Sequence, residues 1–402
     1  MTKPPTGSKN PADLRPATRL VHGGSLRSEF GEMSEAIFLT QGFAYDTMEI
    51  AEARFKGEDP GFIYARFSNP TVAMFEKRMC LLEGKGAEDA RATASGMAAV
   101  TAAIMGQVKA GDHIVAAKAL FGSCRFIVED LAPRYGVECT LVDGTDLDQW
   151  RAAMRPNTKT TFIETPTNPQ LDILDIRAIA DIAHEHGATL VVDNVFATAL
   201  LQSPFELGAD CVVYSATKHV DGQGRCLAGI VMGSAKFIQD NVHNFLRQTG
   251  PALSPFNAWV MVKSLETMPY RVNQQVANAA AIADFLAEQT GVQRVLYPYR
   301  KDHPQYELAV RQMKGGGQVV VFDLADKKAA FAFGNALEIV KISNNLGDSK
   351  SILTHPATTT HQRIPMEGRI EMGIGEGMLR LSVGLEDIDD LKEDIANALK
   401  AV

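Results

Sequence analysis

Between Arg91 and Met232, short apolar runs alternate with stretches whose apolar residues recur at helical spacing. The runs predict a strand ending at Thr93–Ser95 and strands over 113–116, 138–142, 160–164, 189–193, 211–215 and 228–232. The stretches between them predict helices over 96–108, 123–135, 147–154 and 176–186. Such runs suit strands buried on both faces. Their alternation with helices predicts an α/β domain, a mostly parallel sheet flanked by helices. Further on, 256–267 and 272–289 read as long helices, the second with Val276, Ala279, Ile282, Ala283 and Leu286 on one stripe. Strands over 318–324 and 379–383, with helices over 327–336 and 387–399, predict a smaller α+β C-terminal domain.

The N-terminal part lacks this order. Residues 1–16, rich in proline and polar side chains, read as a disordered or extended arm. Residues 17–67 show no clear period and are dotted with glycines, which predicts an extended segment that packs on something else. It ends at Asn69-Pro70, a helix-entry signal. Val72, Phe75, Met79 and Leu82 then predict a helix over 71–82.

At 402 residues, 46% hydrophobic and 22% charged, the chain fits a two-domain globular protein. A net charge of −8 removes the basic footprint of a general nucleic-acid binder. The five cysteines are scattered without a CxxC pair, so thiols in a reducing compartment are expected rather than a disulfide framework or a zinc site. No stretch approaches the ~18 apolar residues of a membrane span. The expectation is a cytoplasmic protein without a membrane or nucleic-acid partner.

The candidate chemistry gathers at strand ends. The run Cys211-Val212-Val213-Tyr214 stops at Ser215-Ala216-Thr217-Lys218, and the run before it stops at Asp193. Parallel neighbours end at the same sheet edge, so Asp193 and Lys218 are expected to face one cleft. An aspartate for a ring nitrogen and a lysine for an aldehyde are what pyridoxal phosphate (PLP) requires. Ser95-Gly96-Met97, at a strand-to-helix turn, is the candidate phosphate cradle, aided by Ser215 and Thr217, with Arg66 as an added charge. Arg380, in an apolar strand, needs an anion: a substrate carboxylate, or an acidic residue of the fold. Taken singly, Lys218 also fits a solvated loop and Asp193 a helix cap. His355 and His361, without a carboxylate or cysteine pattern, read as loop residues rather than metal ligands.

Five motifs in order, Tyr64-Ala65-Arg66-Phe67-Ser68-Asn69-Pro70-Thr71, Ala94-Ser95-Gly96-Met97-Ala98-Ala99, Glu164-Thr165-Pro166-Thr167-Asn168-Pro169, Val192-Asp193-Asn194 and Tyr214-Ser215-Ala216-Thr217-Lys218, carry a resemblance. The chain resembles the cystathionine γ-synthase group of PLP enzymes, from Thr18 to Asp387. The resemblance implies the fold type I architecture of PLP-dependent transferases, with a mostly parallel seven-stranded sheet. It divides the chain into an arm (1–67) reaching a neighbouring subunit, a PLP-binding domain (68–262) and a C-terminal domain (263–402). It implies that Lys218 bonds the cofactor aldehyde and moves protons. Asp193 pairs with the ring nitrogen, and Gly96, Met97, Ser215 and Thr217 hold the phosphate. Tyr64 and Arg66 are implied to reach the phosphate of the neighbouring subunit, Tyr64 also being catalytic. Asn168, Asn345 and Arg380 bind substrate. Active-site-sharing dimers are implied to pair into a homotetramer.

Three positions depart from the family pattern. Phe121 replaces the usual ring-stacking tyrosine, keeping a flat face without the hydroxyl. Asn345 replaces the usual serine of a Ser-Leu-Gly motif. Ser123, not a cysteine, stands where the methionine γ-lyases carry theirs. Ser34–Gln41, Arg54–Gly61 and Pro356–His361 are similar to the O-succinylhomoserine sulfhydrylase branch. That branch implies γ-replacement on O-succinyl-L-homoserine by sulfide, giving homocysteine and succinate. The alternatives are cystathionine γ-synthase or γ-lyase chemistry, or a non-catalytic PLP-binding protein.

Overall fold

A computed structural model describes residues 10–402. The expectation for residues 1–9 of the arm lies outside the described residues. All seven strands predicted between Arg91 and Met232 form one sheet: β1 (Asp89–Thr93), β2 (His113–Ala117), β3 (Glu138–Val142), β4 (Thr158–Glu164), β5 (Thr189–Asp193), β6 (Cys211–Ser215) and β7 (Gly229–Gly233). Their order is β1-β7-β6-β5-β4-β2-β3, and β7 alone runs antiparallel to its neighbours. The sheet is buried on both faces, and strand alternation divides it cleanly. Leu190, Val192, Val212 and Ile163 join one hydrophobic cluster, while Val191, Val213 and Phe162 join the other.

That alternation positions the chemistry. Side chains two residues apart share a face, so Glu164 follows Phe162, Asp193 follows Val191, and Ser215 follows Val213. All three therefore emerge on the second face, at the carboxyl ends of β4, β5 and β6. The helix Gly96–Met105 packs on that face through Ala99, Val100 and Ala103. Ser95, expected in the preceding strand, instead caps this helix, accepting a hydrogen bond from Ala98 N at 3.2 Å. The helix expected over 123–135 runs over 122–134, with a π-helical turn at Ile127–Leu131.

A second sheet has the order β10-β11-β12-β9-β8. Its strands are β8 (Arg294–Leu296), β9 (Val319–Asp323), β10 (Lys341–Ile342), β11 (Ile352–Thr354) and β12 (Met378–Ser382). Helices Lys327–Ala336 and Ile388–Leu399 cover it, with Phe322, Phe333, Leu381 and Ile395 in its core. The 20-residue helix Met268–Ala287 serves both cores. Met268 and Val272 pack with the large sheet, and Ala279, Ile282 and Leu286 with the small one.

The N-terminal segment corrects one expectation. Residues 17–67 are not extended throughout: Pro16–His22 and Met48–Lys56 are helical, and Leu20 is fully buried in this chain's own core. Met48–Lys56 buries no residue, so no apolar stripe marks it in the sequence. The segment is anchored by Glu35, whose carboxylate meets the buried Arg78 guanidinium at 2.5 Å. Arg78 also donates to Gly23 O and Val262 O. Burial pushes the Glu35 carboxyl up, but its backbone hydrogen bond and Arg78 outweigh this and hold it at about 2 against an ordinary 4.5. Its stabilisation is therefore complete above about pH 4.5 and lost as pH falls toward 2. Glu35→Ala is expected to cost about 3 kcal/mol in urea unfolding, since only Glu266, 3.4 Å away, remains to balance Arg78. An unchanged midpoint would remove the anchor from the account.

Candidate active site

A cavity of about 240 Å³ opens where the carboxyl ends of β4, β5 and β6 meet the start of helix Gly96–Met105. Nine of the predicted residues line it: Gly96, Met97, Phe121, Asn168, Asp193, Ser215, Thr217, Lys218 and Arg380. At one end, the first amides of the helix have no intrahelical partner and carry the positive end of its dipole. Gly96 is required by close approach: a Cβ there would lie 2.6 Å from the Ser215 Cβ. Ser215 Oγ has no partner among the described residues. Thr217 is already engaged, since its hydroxyl donates to Ala228 O at 3.2 Å and accepts from Ala228 N at 3.1 Å.

At the other end stand two oppositely charged groups, each disfavoured by burial. Burial raises Asp193 to about 7, opposed by the Val195 amide at 3.1 Å and by Lys218. Burial lowers Lys218 to about 8, helped by Arg380 and opposed by Asp193. The Lys218 Nζ donates to Asn345 Oδ1. Asn345 was expected to bind substrate; here its side chain holds the lysine and its carbonyl accepts from Arg380 Nη2 at 3.2 Å.

Arg380, on β12, is 2% exposed. Its Nη1 donates to Asn168 Oδ1 at 2.8 Å, and Nη2 to Asn344 O at 3.2 Å. Its Nε is buried without a partner, and no carboxylate of the described residues forms an ion pair with it. Of the two anions considered from sequence, the acidic residue of the fold is therefore not there. Burial lowers the guanidinium to about 10, with Glu164 opposing.

Two predicted residues lie elsewhere in this chain. Tyr64 packs edge-on against Phe67, and Arg66 stacks over Phe67 and donates to Arg247 O. Neither lines the cavity, whose only cations among the described residues are Lys218 and Arg380. His355 orders its own loop, with one ring nitrogen on Thr358 Oγ1 and the other on Glu376 O. Cys124 lines the cavity, but burial, Asp193 and Glu164 push its thiol well above 9, which leaves little thiolate. Sequence reasoning passed over Glu164 as a site residue. It is 3% exposed, lines the cavity, and accepts the Phe121 amide at 2.8 Å. The available signal was a charged residue ending an apolar strand, as with Asp193.

The arrangement fits PLP. It offers unpaired helix amides and a free hydroxyl at one end, and a buried carboxyl and amine at the other. The family described as Cys/Met metabolism PLP-dependent enzyme matches residues 17–400. An O-succinylhomoserine sulfhydrylase of Mycobacterium tuberculosis is 50% identical over 394 residues, 97% of each chain. An L-methionine gamma-lyase of Porphyromonas gingivalis is 40% identical over 96% of this chain and 97% of its own. A Campylobacter jejuni structure, described provisionally as an O-acetylhomoserine (thiol)-lyase with N'-pyridoxyl-lysine-5'-monophosphate at position 205, superimposes with a TM-score of 0.92. It is 29% identical, over 96% of this chain and all of that one.

Proposed function

Because the chain belongs to the Cys/Met metabolism PLP-dependent enzyme family, and so is a PLP enzyme of fold type I, we propose that it replaces the γ-substituent of O-succinyl-L-homoserine with sulfide. The products are L-homocysteine and succinate. The observation that carries the reading is Arg380: a buried guanidinium with an unpartnered Nε and no internal carboxylate, beside Asn168 in the cavity that holds Lys218. An amino-acid carboxylate supplies the missing anion. The 50% identity to a sulfhydrylase, against 40% to a lyase, favours the branch.

Bound PLP supplies an aldehyde for the substrate amine and a ring that accepts electron density from the substrate Cα. Everything else falls to this chain. Asp193, in its ionised form, balances a proton on the ring nitrogen. Gly96, Met97 and Ser215 hold the phosphate, and Phe121 covers one face of the ring. Arg380 and Asn168 fix the substrate carboxylate and so present the Cα–H bond to Lys218. Lys218, freed as an amine, takes the Cα proton and then a Cβ proton, and returns protons after sulfur has bonded to Cγ and succinate has left. Asn345 Oδ1 keeps the amine within the cavity between these transfers.

The lowered lysine has a consequence for loading. The neutral amine is the reactive form, and it reaches half of the population at about pH 8 rather than 10.5. Covalent uptake of PLP by cofactor-free protein, followed by absorbance, is expected to accelerate up to about pH 8 and level off above it. Acceleration continuing toward pH 10 would mean that Lys218 is solvated.

The proposal extends to assembly. We infer that Tyr64 and Arg66 complete the phosphate end of a neighbouring subunit's cavity, in dimers that pair into a homotetramer. In support, this chain's own cavity has no cation there, and Phe30, Met33, Leu39, Met48 and Phe55 stand 61–90% exposed along the same segment. A cytoplasmic location belongs to the same reading. Among the described residues no helix is long and apolar enough to cross a membrane.

The test is nucleophile partition. PLP-loaded protein is given O-succinylhomoserine with sulfide, with cysteine or with neither. Homocysteine well ahead of cystathionine supports the reading. Dominant cystathionine moves the enzyme to the synthase reaction, and 2-oxobutyrate alone moves it to the lyase.

A further inference from the structure

The proposed mechanism uses one buried carboxyl, Asp193, yet the cavity contains two. Glu164 and Asp193 are register partners at the ends of the adjacent parallel strands β4 and β5. Neighbouring strands lie about 4.8 Å apart, and paired positions project to the same face. Both carboxyls, 3% and 8% exposed, therefore enter one cavity side by side. Glu164 Oε2 accepts the Phe121 amide at 2.8 Å, while Oε1 has no partner among the described residues.

Two carboxylates this close in a buried site do not both ionise. The surroundings decide which one keeps the proton. Asp193 faces the Lys218 charge and the Val195 amide. Glu164 faces the Phe121 amide, the thiol of Cys124 and, at longer range, Arg380, which makes no ion pair with it. Burial and the Asp193 charge raise Glu164 well above its ordinary value, whereas Asp193 reaches only about 7. Arg380, held by Asn168 and two backbone carbonyls, favours the ionised form from a distance, but burial and the Asp193 charge outweigh it.

We propose that Glu164 is a positioning residue that works as a neutral acid: one oxygen accepts the Phe121 amide and fixes that ring, and the other carries a proton and donates a hydrogen bond to the bound cofactor. Asp193 is then the one anion facing the ring. A second anion beside it would unbalance the charge that Asp193 alone offsets. The proposal concerns the cofactor and holds whichever acyl donor the enzyme takes.

Glutamine reproduces both features of a neutral acid, an acceptor oxygen and a donor, whereas alanine has neither. The experiment removes PLP from the full-length enzyme and titrates PLP back, following fluorescence and the circular dichroism of the bound cofactor. Glu164→Gln is expected to bind PLP within about threefold of the parent with the same dichroic band. Glu164→Ala is expected to bind at least about tenfold more weakly with a reduced band, because the Phe121 amide loses its acceptor and the ring its anchor. Infrared difference spectra of the unmutated and Glu164→Gln proteins provide a readout independent of binding and of any damage in the alanine variant. The protonated-acid carbonyl stretch present near neutral pH should be lost in Glu164→Gln. Glutamine as weak as alanine would mean that Glu164 acts as an anion and would overturn the proposal. So would alanine binding as tightly as the parent, or the absence of that carbonyl stretch.

Discussion

Lys218→Ala is expected to abolish covalent cofactor attachment and to lower turnover on the order of 10⁴-fold. The residue is asked to do two separate things. It bonds the cofactor aldehyde, and it carries protons between substrate carbons. Both depend on an amine that is neutral near physiological pH, which burial arranges by lowering Lys218 to about 8. Alanine removes the amine altogether, leaving Asn345 Oδ1 without its donor. Lys218→Arg sharpens the test. It keeps a cation near Asp193, but a guanidinium stays protonated and does not bond an aldehyde. If the role is the amine, arginine is as inactive as alanine. If the role is only charge balance for Asp193, arginine restores activity, and the assignment fails. The cofactor absorbance band at saturating PLP, measured beside turnover, separates lost attachment from lost binding.

The second large effect is at Arg380. Arg380→Ala is expected to cost about 2–5 kcal/mol in kcat/KM, the range for truncating one member of a buried charge pair. At 1.36 kcal/mol per decade this is roughly 30- to 5,000-fold, carried mainly by KM. The cofactor spectrum should be unaffected, since Arg380 faces the substrate carboxylate. Stability should not fall. The guanidinium is buried without an internal anion and with Nε unpaired, so it is held at a cost to the folded chain. The expected signature is thus a large loss of kcat/KM with Tm unchanged or raised. A variant with normal KM would show that the carboxylate binds elsewhere. A variant that unfolds would show that Arg380 is a structural ion.

Much of this was legible along the chain because the large sheet is buried on both faces. Burial on two sides forces uninterrupted apolar runs, and a charged residue at the end of such a run stands out. Asp193 was visible for that reason, and Arg380 because it interrupts an apolar strand of the small sheet. Glu164 also ended a predicted strand, but its run is half threonine and it was read only as the first residue of a motif. The small sheet was only partly legible. β8, β10 and β11 span three, two and three residues, too few for alternation to register. Helix Met48–Lys56 was missed because it buries nothing against its own chain. Thr217 and Asn345 stand in the expected neighbourhood, and each also has a partner within the chain that spacing did not foretell. The Thr217 hydroxyl closes a turn with Ala228, and the Asn345 side chain holds Lys218. Such pairings depend on which loop returns to the sheet edge, and spacing along a sequence carries no record of that.

The central claim is that the cavity at the ends of β4, β5 and β6 is the PLP site, with Lys218 as its covalent anchor. Borohydride reduction of the loaded enzyme, followed by digestion and mass mapping, tests it most directly. The account predicts one pyridoxyl-phosphate adduct per chain, on the peptide that contains Lys218. An adduct on any other lysine, or none at saturating PLP, would contradict it.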